Sequence, residues 1–192
     1  MIKAVLFDCD GTIFDTSFQI FVGYKFLFDK YRPDYKPTAE EYYSFLGPSL
    51  AQMFPKYFDG DLDTLIEEYR QAGYKYMDKE HIPVYPNLIE CLKELKRLNI
   101  KTAIVSSRVH FGVENLLKLH DIQDLFDVVV GCDDITKHKP DPESFIYCLN
   151  KLNLNSDEAV MVGDHYADIR GASNANMKSI VVRWSAFGAE KL

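Results

Sequence analysis

No two cysteines in this chain are spaced as CxxC. Cys9, Cys91, Cys132 and Cys148 have no companion histidine pattern, so the sequence indicates neither a zinc site nor a disulfide framework. Long apolar runs are also missing: no stretch approaches the length needed to span a bilayer, and the apolar start turns acidic too soon for a signal peptide. Basic residues are the minority, 22 Lys and Arg against 29 Asp and Glu, for a net charge of −7. That balance argues against a nucleic-acid backbone as the main partner, and the reading is of a cytoplasmic protein with no membrane contact. There is no internal repeat and no low-complexity segment. What is present is ordinary globular composition, 47% hydrophobic and 27% charged over 192 residues, enough for one well-packed domain or one domain carrying a smaller insert.

The most informative stretch lies near the amino terminus. Ala4-Val5-Leu6-Phe7 has the composition of a strand buried on both faces, and it runs directly into Asp8-Cys9-Asp10-Gly11-Thr12. In an α/β protein the carboxyl ends of central strands are where ligands bind, which would put Asp8 and Asp10 at the mouth of a crevice. Taken alone, Asp-x-Asp is equally what a strand-to-loop turn contains. Side-chain alternation should turn Cys9 away from the two acids, making it a packing residue.

From Asp15 to about His81 the pattern is helical and aromatic-rich. Phe18, Phe21, Val22, Lys25 and Phe26 suggest one apolar stripe. Thr38 with Glu41 reads as a capping box opening a helix through Phe45 that Gly47-Pro48 ends, and Asp61 or Asp63 starts a longer helix through Met77. Pro83 and Pro86 bracket a return linker. Helices are then expected over 87–98, 109–119, 142–152 and 166–176, alternating with strands over 101–105, 127–130, 159–162 and 178–182. This order predicts an α/β fold: a doubly wound, parallel, five-stranded, Rossmann-like sheet with a helical cap inserted after the first strand. The boundaries are 1–14 and 84–192 for the core and 15–83 for the cap.

Further polar clusters follow the later strands: Ser106-Ser107-Arg108, Lys137-His138-Lys139-Pro140-Asp141-Pro142, and Gly163-Asp164-His165-Tyr166-Ala167-Asp168. Parallel strands bring all these loops to one edge of the sheet. Asp8, Asp10, Asp164 and Asp168 then bring four potential negatives against one or two lysines. Like charges at close range destabilise a fold unless a cation balances them, so the charge balance predicts a Mg²⁺ site. Ser106, Lys139 and backbone amides around Gly11 and Ser107 would suit the equatorial oxygens of a phosphoryl group.

Asp8-x-Asp10-Gly11-Thr12, Ser106 after an apolar strand, Lys139-Pro140-x-Pro142 and Gly163-Asp164-x-x-x-Asp168, in that order, resemble the four motifs of the haloacid dehalogenase superfamily. The text around the first motif is similar to its phosphoglycolate phosphatase and β-phosphoglucomutase branch. The resemblance implies Asp8 as the nucleophile forming an aspartyl-phosphate and Asp10 as the general acid and base. It places Mg²⁺ on Asp8, the carbonyl of Asp10 and Asp164, and the phosphoryl group on Ser106 and Lys139. Asp168 would support the metal shell or Lys139. The implied substrate is a small phosphorylated metabolite, phosphoglycolate-like or a sugar phosphate, though a nucleotide or pyrophosphate would suit the same core; the protein is expected to be a monomer or weak dimer. Phosphatase is the leading reading, beside a phosphomutase of the β-phosphoglucomutase kind and a non-catalytic binding or regulatory protein. Family members usually continue past a segment like Trp184-Ser185-Ala186-Phe187-Gly188 into another strand and helix.

Four positions carry a substrate-binding expectation with a plainer alternative beside it. Arg108 would hold an anionic tail or be a loop arginine, and His165 would touch substrate or be a loop histidine. Gly47 would face the site or only break a helix, and Lys25 would greet an anion from the cap or lie on the surface. The aromatics of the insert are read as a small domain's core.

Overall fold

The computed structural model describes all 192 residues. In chain order it has β1 (Ala4–Phe7), α1 (Ser17–Tyr31), α2 (Ala39–Ser44), α3 (Leu50–Met53), α4 (Leu62–Tyr74), α5 (Leu88–Arg97), β2 (Lys101–Val105), α6 (His110–Leu119), β3 (Val128–Val130), α7 (Glu143–Leu152), β4 (Ala159–Gly163), α8 (Tyr166–Asn174) and β5 (Lys178–Val181). All five strands pair in parallel in the order β3-β2-β1-β4-β5. The expected α/β sheet is therefore present, with β1 at its centre. No helix is long and apolar enough to cross a membrane.

Because side chains alternate along a strand, β1 feeds two cores at once. Ala4 and Leu6 join Phe145, Leu149 and Met161 on one face of the sheet, while Val5, Phe7 and Cys9 join Leu92, Val113 and Leu116 on the other. Cys9 is fully buried in that second core, as the alternation predicts.

The helices between Ser17 and Tyr74 enclose a third core of their own, built on Tyr24, Leu27, Phe28, Phe45, Phe54, Phe58 and Leu65. The chain enters and leaves this unit side by side: Phe14 bridges Val84 antiparallel, the Asp15 N–H donates to the Pro83 carbonyl at 2.9 Å, and the Tyr85 N–H donates to the Ile13 carbonyl at 3.1 Å. Thr38 forms the expected capping box with Glu41, and Asp61, not Asp63, caps α4 by accepting from the Thr64 amide at 2.9 Å. The turn of helix in α3 was not foreseen, and α4 ends before Met77.

The inward face of α1 differs from the stripe expected from spacing. Phe18 and Phe26 are 45% and 42% exposed, whereas Ile20, Gly23, Tyr24, Leu27 and Phe28 are buried. Apolar residues surround this helix, so two stripes satisfy the helical period equally. Gly23 decides between them: a Cβ there would come within 2.3 Å of the Tyr69 ring, so α4 can pack closely only on that side. Lys25 consequently points outward, and its ammonium meets Asp29 at 2.5 Å on the same helix. It lines no part of the crevice, so of its two expected roles the structure shows the surface lysine and not the one that greets an anion.

Candidate active site

Asp8, Ser106 and Asp164 each follow immediately on one of three adjacent strands, β1, β2 and β4, whose register aligns Phe7 with Ile104 and with Val162. The three side chains thus start from nearly the same height on the sheet edge, and all are buried. Lys139 arrives on the loop after β3. Its ammonium donates to Asp8 Oδ1 at 2.7 Å, to Asp168 Oδ1 at 2.6 Å and to the Val105 carbonyl at 3.1 Å. All three ammonium donors are engaged. Burial works against the Lys139 charge, but the carboxylates of Asp168 and Asp8 outweigh it and hold the pKa above the usual lysine range.

Asp168 is held at both oxygens, since its Oδ2 also accepts the His165 N–H at 3.0 Å, closing the first turn of α8. Asp164 is the opposite case. Its carboxylate accepts one hydrogen bond from the protein, a donation from the Thr12 hydroxyl at 3.4 Å. Gly11, at φ +78°, lies so close that a Cβ would fall 2.3 Å from Asp164 Oδ2, so only glycine fits between the two loops.

Oxygens of Asp8, Asp164 and Asp168 lie within 4.8 Å of one another. Lys139 and the amide of His165 already satisfy Asp168, which leaves Asp164 and the second oxygen of Asp8. Burial pushes both carboxyls up, Asp8 further opposed by Asp168 and relieved by Lys139, Asp164 raised again by Asp8. Two buried carboxylates that resist ionising together, with oxygens converging and unshared, suit a hard divalent cation such as Mg²⁺.

Asp10 points elsewhere. Arg108 Nε lies 3.1 and 3.2 Å from its two oxygens and Nη2 lies 2.6 Å from Oδ1, a forked pair, while the same Nη2 donates to Gln19 Oε1 at 3.2 Å. Burial opposes the charge on Asp10, but the guanidinium outweighs it and holds the carboxyl below the usual range. Arg108 is therefore no free loop arginine. Ser106 Oγ, for its part, accepts the Arg108 N–H at 3.0 Å, which orients the loop.

A cavity of about 490 Å³ opens between this edge and the helical unit. Asp8, Asp10, Ser107 and Arg108 line it from the sheet side, and Gln19, Gly47, Tyr69 and Arg70 from the other. Gly47 thus faces the crevice, at φ +99°, with the His165 ring so close that a Cβ would be 2.7 Å from it. His165 itself is not in the cavity wall. Its Nδ1 accepts the Ala167 N–H at 3.1 Å, capping α8, and its ring packs edge-on against Phe187. Gln19 and Arg70 escaped the sequence reading. Gln19 carried one usable signal, a polar residue beside the buried stripe of α1. Arg70 carried none.

The haloacid dehalogenase-like hydrolase family model matches residues 5–182. The pyrophosphatase PpaX of Bacillus cereus (strain Q1) is 38% identical over 188 residues, 97% of this chain and 86% of that protein. A solved chain from Bacteroides fragilis described as haloacid dehalogenase-like superposes with a TM-score of 0.90 at 26% identity, covering 100% of this chain and 92% of its own. A haloacid dehalogenase-like family hydrolase from Streptococcus pneumoniae does so with 0.84 at 25% identity, covering 99% and 88%.

Proposed function

The chain belongs to the haloacid dehalogenase-like hydrolases and is a phosphatase, and from that premise we propose that it is Mg²⁺-dependent and hydrolyses a small phosphorylated metabolite through an aspartyl-phosphate on Asp8. The observation that carries this reading is the Asp8 carboxylate, held by Lys139 at the end of the central strand and open toward the cavity beside Asp164. A carboxylate attacking a phosphate dianion is otherwise repelled. A cation on Asp8, the Asp10 carbonyl and Asp164 would neutralise charge on the attacked phosphoryl group.

The chemistry then falls to the chain's own groups. An Asp8 oxygen attacks phosphorus as the bond to the leaving oxygen breaks, and that oxygen takes a proton from Asp10. Asp10 next takes a proton from water attacking the aspartyl-phosphate, which frees inorganic phosphate and regenerates Asp8. Ser106 and the amides near Gly11 and Ser107 hold the phosphoryl oxygens, and Lys139 joins them by giving up one of its three present contacts. Asp10 must first leave the fork of Arg108 and take up a proton from solvent, the proton it then gives to the leaving oxygen and recovers from the attacking water. We assign residues 15–83 the part of a lid that closes over the crevice, excluding water and setting specificity through the residues it contributes to the cavity.

The test is phosphate release from a panel of phosphate esters and anhydrides with and without Mg²⁺, comparing the native chain with Asp8→Asn. Pyrophosphate heads the panel because PpaX relatives are named pyrophosphatases; phosphoglycolate and sugar phosphates follow. The expected outcome is release that needs Mg²⁺ and falls to background in the variant. Equal release by Asp8→Asn would overturn the covalent route. Turnover of a sugar monophosphate only with a bisphosphate activator, yielding little free phosphate, would favour the mutase.

A further inference from the structure

The segment after β5 lies outside the four motifs, yet it touches both loops that carry the acids. Trp184 is the only tryptophan in the chain. Its indole N–H donates to the Gly11 carbonyl at 3.1 Å, and its ring stacks on Tyr85 with centroids 4.9 Å apart. Tyr85 is itself tied to the first loop through the Ile13 carbonyl. The next residue reaches the other loop: Ser185 Oγ donates to the Asp164 carbonyl at 2.6 Å and accepts the Phe187 N–H at 3.2 Å. Phe187 then closes on His165.

These contacts meet where spacing is tightest. Gly11 and the Asp164 carboxylate abut with no room for a Cβ, and one strap holds the carbonyl of each of those two residues. We propose that Trp184 and Ser185 are positioning residues that set the separation of the Asp8–Asp10 loop from the Asp164 loop, and so the affinity of the cation site between them. This rests on the metal-site reading above. Neither side chain need touch a ligand. Each acts through a backbone carbonyl, as the outer partners of metal ligands commonly do, and loss of such partners weakens binding about ten- to a hundredfold.

The experiment follows Mg²⁺ binding by readouts that need no turnover: the rise in melting temperature with added Mg²⁺ in every chain and, in every chain except Trp184→Phe, the emission of Trp184 itself. Variants are Ser185→Ala, Ser185→Thr and Trp184→Phe, with Asp164→Asn as the control for the site. Expected is a Mg²⁺-dependent rise and emission change in the native chain, both lost in Asp164→Asn. The half-saturating Mg²⁺ should climb about tenfold or more in Ser185→Ala and Trp184→Phe and return toward native in Ser185→Thr, which keeps the hydroxyl. A merely structural role would instead lower the metal-free melting temperature and leave half-saturation alone. Unchanged half-saturation in both variants, with Asp164→Asn still silent, would overturn the strap and spare the site. No Mg²⁺ response in the native chain would overturn both.

Discussion

Asp10 and Arg108 make a partly covered ion pair, each side chain 18% exposed, and the forked geometry gives that pair a pH signature. The Asp10 carboxyl lies below its usual range, so its contribution to stability is complete above the unfolded value of about 4 and is lost as pH falls through the lower folded value. In Arg108→Ala the half-buried carboxylate is left without its partner and takes up a proton at higher pH than in the native chain. The native chain should therefore exceed Arg108→Ala by about 2 kcal/mol at neutral pH; the gap should begin to narrow above about pH 4, where the variant's carboxyl takes up its proton, and close as pH falls through the lower native value. Urea melts of both proteins across pH 3 to 7 check this. A constant gap would mean that the arginine stabilises through packing of its stem.

Among the elements, the four helices that cover the sheet share one way of stopping. Just past their carboxyl ends stand Asn99, Asp121, Asn153 and Asn176, with φ of +56°, +56°, +55° and +56°. Glycine usually takes this left-handed position, because most side chains crowd the following carbonyl there; Asn and Asp tolerate it by bonding locally. At the end of α7, Asn153 turns the chain so that the Leu154 N–H reaches the Leu149 carbonyl at 3.0 Å and Leu154 packs back on the core. Asn153→Ala should cost about 1 kcal/mol and lower the melting temperature by about 2–4 °C, while Asn153→Gly should be close to neutral. Thermal melts followed by circular dichroism separate the two.

For the whole molecule, the arrangement of cores suggests that the sheet does not need the insert to fold. The aromatic cluster of α1 to α4 is distinct from the two clusters flanking the sheet, and the segments of entry and exit already meet at a bridge between Phe14 and Val84. Replacing residues 17–76 with a short Gly-Ser linker, keeping Met77 and Ile82 for the core they join, should leave a chain that melts cooperatively. That chain should lose most of its kcat/KM on small esters, because the lid side of the cavity is gone. A chain that does not fold would show that the insert stabilises the sheet across the crevice, through contacts such as Arg108 to Gln19.

The sequence alone determined a good deal of this. Four apolar residues before Asp8, and similar runs before Ser106 and Asp164, write buried strands because nothing else hides so much β-branched and aromatic surface in so few residues. Strand and helix alternating along the chain leave little choice but a parallel sheet, which gathers those three residues at one edge whatever the strand order. Thr38 with Glu41 is local chemistry, and local chemistry is legible. Only tertiary structure decided the rest, because each case turned on two parts of the chain that meet in space. Helical period allowed α1 two inward faces until Gly23 met Tyr69. No spacing could pair Arg108 with Asp10, separated by 98 positions, or carry Trp184 back to Gly11 across 173. Periodicity reports which side chains must leave water. It cannot say which distant partner awaits them, since that depends on how whole elements pack.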